Sequence, residues 1–117
     1  MGEYRLKKKS DGKALAVLAV KAMEDIKAQN IVTLDVRKLT TITDFMVIAT
    51  GTSSRHVRSI AQNVMDAARR GGWRTIGSEG LQEGEWVLAD FGAVLVHVLS
   101  GDMRRFYALE KLWSEGA

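Results

Sequence analysis

The sequence predicts an α/β protein, a mixed sheet of about five strands packed with three helices. Three observations carry this. Apolar residues recur at helical spacing over residues 12–28, 54–70 and 102–114. Short runs rich in β-branched residues stand between those stretches. The resulting order, α β β α β β β α, mixes a hairpin with a helical crossover, so the strands must run in both senses.

The first helix is expected from about Gly12 to Ala28, with Leu15, Leu18, Ala19, Ala22, Met23 and Ile26 on one stripe. Val17 and Val20 lie off that stripe and are candidates for a second surface, such as another subunit. Ile31 to Val36 reads as a strand and Arg37 to Thr43 as a loop. Phe45 to Thr50 is apolar on both faces, as a central strand requires. Gly51-Thr52-Ser53-Ser54 is a turn whose hydroxyls can cap the next helix. That helix runs from about Ser54 to Arg70 on Val57, Ile60, Ala61, Val64, Met65 and Ala68, with Arg58, Gln62, Asp66 and Arg69 facing out. Gly71-Gly72 stops it, because glycine takes a left-handed cap cheaply.

Trp73 to Ile76 is a candidate short strand, and Gly77 to Gly84 a mobile loop. Glu85 to Ala89 and Ala93 to Leu99 flank the tight connection Asp90-Phe91-Gly92 and form a hairpin. Along its first strand side chains alternate, so Val87 and Ala89 share one face while Trp86, Leu88 and Asp90 share the other. The last helix, about Asp102 to Ser114, carries Phe106, Leu109 and Trp113 on its buried line. Tyr107 and Leu112 fall outside that line, with Arg104 and Arg105 beside them. Glu110 sits near the line and needs a partner there. Trp and Tyr are enriched at interface hot spots, which makes Trp86 and Tyr107 candidate contacts; Trp86 reads equally well as core.

Composition sets bounds. The 117 residues fit one domain, and 46% hydrophobic with 26% charged residues is ordinary for a globular chain. There is no cysteine, which excludes disulfides and thiolate metal sites and suits a reducing, cytoplasmic setting. No apolar run is long enough to span a bilayer, and the basic start of the chain lacks the apolar stretch of a signal peptide. Lys7, Lys8 and Lys9 match the net charge of +3 and suggest a flexible basic tail over residues 1–11, with residues 12–117 as a single domain.

Chemistry finds little support. Asp90-Phe91-Gly92 spells the kinase metal-binding triplet, but the chain lacks the rest of a kinase. Nucleotidyltransferases place a Gly-Ser turn where Gly51-Thr52-Ser53 stands, with two magnesium-holding aspartates on the next strand. Trp73 to Ile76 has no carboxylate, so helix capping is the simpler reading of the turn. His56 and His97 are the only histidines, too few for a metal site without further ligands; His97 suits a hydrogen-bonded structural role. No catalytic residue, metal or cofactor is expected.

The segments Leu34-Asp35-Val36-Arg37, Thr43 through Val57, Glu79-Gly80, Trp86 through Gly92, Val96-His97-Val98 and Arg105 through Trp113 resemble, in order and at family spacing, the Iojap family, the ribosomal silencing factors. The resemblance covers nearly everything from residue 12 to 114. It implies a nucleotidyltransferase-like core without metal carboxylates. It also implies binding to the large ribosomal subunit through its protein L-fourteen, a steric block to joining of the small subunit, and repression of translation when nutrients are short. A homodimer is implied as well. Carried over by motif, the contact residues are Trp86, Leu88, Asp90, Arg105, Tyr107 and Leu109, although periodicity makes Leu109 core. Ala93 and Leu99 depart from the family, which usually has an aspartate and an aromatic there. The rival readings are a nucleotidyltransferase-like enzyme and an RNA-binding module whose affinity falls steeply with salt.

Overall fold

The first helix forms where the apolar stripe predicts it. Helix α1 (Gly12–Asp25) buries Leu15, Ala16, Ala19, Ala22 and Met23. It stops three residues before the expected end, and the backbone says why. Lys27 takes a left-handed conformation (φ 61°), its N–H bonds to the Glu24 carbonyl, and the Ala28 N–H reaches back to the Met23 carbonyl. This Schellman closure satisfies the last carbonyls and turns the chain directly into strand β1 (Gln29–Asp35). The computed structural model describes residues 12–114, without the side chains of residues 110, 112 and 114. The expected basic tail and the expectations for Glu110 and Leu112 lie outside the described residues.

Strand β2 (Phe45–Gly51) is buried along its whole length, as its two-sided apolar sequence requires. Helix α2 (Ser54–Arg70) has the bounds that its periodicity predicts and buries Val57, Ile60, Ala61, Val64 and Ala68. Ser53 caps it by accepting the His56 N–H at 3.0 Å. Its end is a second Schellman closure, with Gly72 left-handed (φ 95°) and the Trp73 N–H on the Ala68 carbonyl.

The next strand corrects the sequence reading. Trp73 to Ile76 is irregular; strand β3 is Gly77–Glu79, inside the expected loop. These three residues are exposed and pair along only one side, at the sheet edge. A short polar edge strand carries no burial pattern, so alternation has nothing to detect. Strands β4 (Trp86–Asp90) and β5 (Val94–Ser100) form the expected antiparallel hairpin. At its turn the Asp90 carboxylate accepts the Gly92 N–H at 2.8 Å, and Phe91 is fully buried.

The sheet order is β1-β2-β5-β4-β3, with β2 and β5 parallel and every other pair antiparallel. Helices α1 and α2 cover one face, closing a core with Val47, Ala49, Val87, Ala89, Val96 and Val98. The second face carries Met46, Ile48, Leu95, His97, Leu99, Trp86 and Leu88, as the strand register dictates.

That second face is met by the end of the chain. The sequence predicts one helix from Asp102 to Ser114; the structure has two, α3 (Gly101–Tyr107) and α4 (Leu109–Ser114). Ala108 between them is left-handed (φ 48°) and its N–H closes on the Arg104 carbonyl. The break rotates the two segments relative to each other. Phe106, expected on the buried line, is therefore 79% exposed, while Leu109 and Trp113 stay half-buried. Arg104 is buried instead, donating to Thr50 Oγ1 at 2.9 Å and tying α3 to β2. No described helix is long and apolar enough to cross a membrane.

Candidate docking surface

Three aromatic rings and an imidazole meet where the second sheet face passes under α3. Trp86 opens β4 and projects to that face, so it is neither core on the helix-covered side nor fully exposed. The Trp86 Nε1–H donates to His97 Nδ1 at 3.0 Å on the adjacent strand. The rings of Trp86 and Tyr107 lie 4.8 Å apart, and Phe106 stands edge-on to Tyr107 at 4.9 Å. Such pairs are each worth about 0.5–1.5 kcal/mol beyond the area they bury. The indole is thus pinned from two sides.

His97 supplies the firm side. It is 8% exposed, and burial pushes its imidazole down to about 4. At neutral pH the ring is uncharged, Nδ1 is free to accept, and Nε2 carries the proton. The expectation of a hydrogen-bonded structural histidine holds, and the bond it makes is the one that orients Trp86.

Gly80 supplies the other constraint. Its φ is 88°, and a Cβ there would collide with the carbonyl oxygen of Trp86. The connection from β3 to β4 must pass that close for Glu79 to pair with Leu88. Glycine is required on both counts. Sequence reading found Gly80 within a motif but gave it no task; only the register of β3 on β4 discloses one.

The other carried-over residues are placed unequally. Leu88 is half-buried on the same face, opposite His97. Asp90 follows on that face, with its carboxylate engaged at the hairpin turn. Arg105 is exposed and paired with Asp102 on α3; two residues from Tyr107, it points to another side of the helix. Leu109 stands beyond the break, half-buried in α4. The structure therefore unites Trp86 and Tyr107, keeps Leu88 and Asp90 on their face, and adds Phe106 and His97. Phe106 escaped sequence reasoning because its spacing fits a continuous helix.

The turn before α2 is structural. His56 Nδ1 accepts the Thr52 N–H at 2.9 Å, which leaves Nε2–H to donate to the Ile26 carbonyl at 2.7 Å. Both ring nitrogens are spent in holding the end of α1 to the start of α2. Ser53 is spent as the cap. Among the described residues, no three His, Asp or Glu side chains gather to hold a metal ion.

Comparison with known proteins identifies the family of the chain. The family model described as ribosomal silencing factor during starvation (RsfS) matches residues 9–117. The chain is 43% identical over 99 residues to the ribosomal silencing factor RsfS of Chromobacterium violaceum, covering 85% of this chain and 81% of that one. It is 37% identical to the Bacillus subtilis protein of the same name, over 88% of this chain and 87% of the other. It is also 33% identical to the maize chloroplastic protein Iojap, over 86% of this chain but 43% of the longer plant protein. A crystal structure of a Chromobacterium violaceum protein superposes with a TM-score of 0.86 at 42% identity, covering 87% of this chain and 85% of the other. One from Bacillus halodurans gives 0.78 at 39% identity, over 86% and 94%. The chain belongs to the ribosomal silencing factor family, which includes the Iojap proteins.

Proposed function

We propose that this protein binds the large ribosomal subunit in the cytoplasm through subunit protein L-fourteen, and so prevents the small subunit from joining. The surface would be the Trp86–Tyr107 pair, with Leu88 and Asp90 on the same sheet face and Arg105 and Leu109 at its margins. What carries the reading is an aromatic cluster left at the surface of a chain from a family named for silencing ribosomes. Tyr107 is 48% exposed and Phe106 more so, while Trp86 is held by a buried imidazole. A preorganised aromatic anchor of this kind is what a hot spot requires, since little rotamer freedom remains to be lost on docking.

The mechanism is steric. The radius of gyration is 13.4 Å. Seated by about 800 Å² per partner on the intersubunit face, that bulk occupies space the small subunit needs. No bond is made or broken. Repression of translation under nutrient limitation follows if the factor is present when growth stops.

Dimerisation forms part of the proposal. Val17 is 64% exposed beside a notch of about 420 Å³ between α1 and the sheet, lined by Ala16, Val20 and Phe45 among others. A second copy would cover it, and Val17→Glu should then shift sedimentation equilibrium toward monomer.

Co-sedimentation with separated subunits tests the main proposal. Binding to the large subunit alone, with fewer joined ribosomes on the same gradient and capture by isolated L-fourteen, is the expected result. Binding to neither subunit, or no loss of joined ribosomes, rejects it.

A further inference from the structure

The face of α2 turned away from the sheet has no role in the docking surface. Arg55, Arg58, Gln62, Met65 and Arg69 recur along it at intervals of three or four, a single line about 21 Å long at 1.5 Å per residue. Two concavities run beside this line and meet at Gln62. One, of about 680 Å³, is lined by Arg55, Arg58, Ser59 and Leu81. The other, of about 730 Å³, is lined by Met65, Arg69, Trp73, Arg74 and Thr75. Among the described residues, four arginines line the pair and no carboxylate does.

The charge in this groove is largely uncommitted. Among the described residues, Asp66 pairs with Arg69 at 3.4 Å, and Arg58 reaches only the Gln82 carbonyl. Arg55 and Arg74 are exposed and make no ion pair among the described residues. Trp73 forms the wall at the far end. Arginines spaced along a groove with an aromatic surface at one end match what a single-stranded polynucleotide offers, phosphates at regular intervals and flat bases between them. A negatively charged protein surface can offer carboxylates and rings too, but not a continuous chain of phosphate charges alternating with bases.

We propose that the groove along the outer face of α2 binds the phosphate chain of single-stranded RNA, with a base against Trp73. The length fits about four nucleotides, the lower end of single-strand site sizes. The choice of RNA over DNA rests on the ribosomal reading; the groove itself does not. Helix α2 covers one sheet face and the Trp86–Tyr107 cluster lies on the other, so the two surfaces are back to back. Both can be occupied at once.

The test is fluorescence anisotropy of a labelled eight-residue oligouridine with the full chain at several salt concentrations, and an oligothymidine as the DNA arm. Arg55→Glu/Arg74→Glu removes the two proposed phosphate contacts and breaks no ion pair among the described residues, so the variant should keep the wild-type melting temperature. Oligouridine binding should weaken at least tenfold at about 100 mM salt, with a salt slope lower by about 1.4, since each single-strand phosphate contact contributes about 0.7. Tyr107→Ala should bind the oligonucleotide like wild type. A Lys7→Ser/Lys8→Ser/Lys9→Ser variant should lose far less than the groove variant. Equal binding by the groove variant and wild type, or loss confined to the lysine variant, overturns the proposal whether or not the large subunit is bound. Tighter binding of oligothymidine than of oligouridine overturns the choice of RNA.

Discussion

Replacing Trp86 with phenylalanine isolates the bond on which the docking surface depends. The substitution keeps an aromatic ring for Tyr107 to pack against, 4.8 Å away, but deletes the Nε1–H that His97 Nδ1 accepts at 3.0 Å. His97 is almost wholly buried, so water does not replace the lost donor. A buried acceptor left without a partner costs about 1–3 kcal/mol. Taking about 2 kcal/mol, and about 4–8 °C per kcal/mol for a domain near this size, the melting temperature should fall by roughly 8–16 °C. A double-mutant cycle separates the bond from the change in ring size. In a His97→Phe background no acceptor remains to be stranded, so Trp86→Phe should cost markedly less there. The two costs should differ by about 1 kcal/mol or more in chemical denaturation. Additive costs would refute the argument that this bond fixes the indole.

Acid provides an independent view of the same histidine. Its folded-state value, about 4, lies below the ordinary 6.5, so the unfolded chain takes up the proton first and stability is fully present only above about pH 6.5. Stability should decline as pH falls from 6.5 toward 4, by at most about 3–4 kcal/mol from this group. Denaturation measured across that window, with His97→Phe flattening the decline, checks it. Gly80→Ala should destabilise the fold by more than the strain of a left-handed alanine alone, about 1 kcal/mol, because its Cβ meets the Trp86 carbonyl. A change in tryptophan fluorescence should accompany the lower melting temperature. Ser53→Ala, by contrast, removes the cap of α2 and should cost about 1 kcal/mol without altering ribosome binding.

The parts of this fold that the sequence discloses are those where burial imposes a period. Helix α2 is the clearest case, because its apolar residues fall on one stripe bounded by a serine cap and a glycine pair. The β4–β5 hairpin is legible for the same reason, with Val87 and Ala89 on the core face and Trp86 and Leu88 opposite. Strand β3 is not, since an exposed edge strand of three residues has no face to bury. The break at Ala108 is also hidden. Nothing in Phe106-Tyr107-Ala108-Leu109 prefers a left-handed residue, and alanine is a strong helix former. The turn accompanies the Arg104 contact to Thr50 on β2, and Phe106, expected in the core, stands at the surface. Family resemblance named Trp86 and Tyr107 together. That their rings touch, with His97 beneath, follows only from strand register and the position of α3.

If the exposed aromatic cluster is the ribosome-binding surface, as proposed, removing one of its rings should release the large subunit. Tyr107→Ala tests it most directly, because Tyr107 is nearly half exposed and its truncation removes the Trp86 and Phe106 ring contacts without touching the core beneath α1 and α2. Co-sedimentation of this variant with purified large subunits, next to wild type and well below both melting temperatures, should show binding at least tenfold weaker, with subunit joining restored in proportion. The loss of two ring pairs should lower the melting temperature by several degrees at most, short of unfolding. Wild-type binding by a folded Tyr107→Ala protein would place the ribosome contact elsewhere on the molecule.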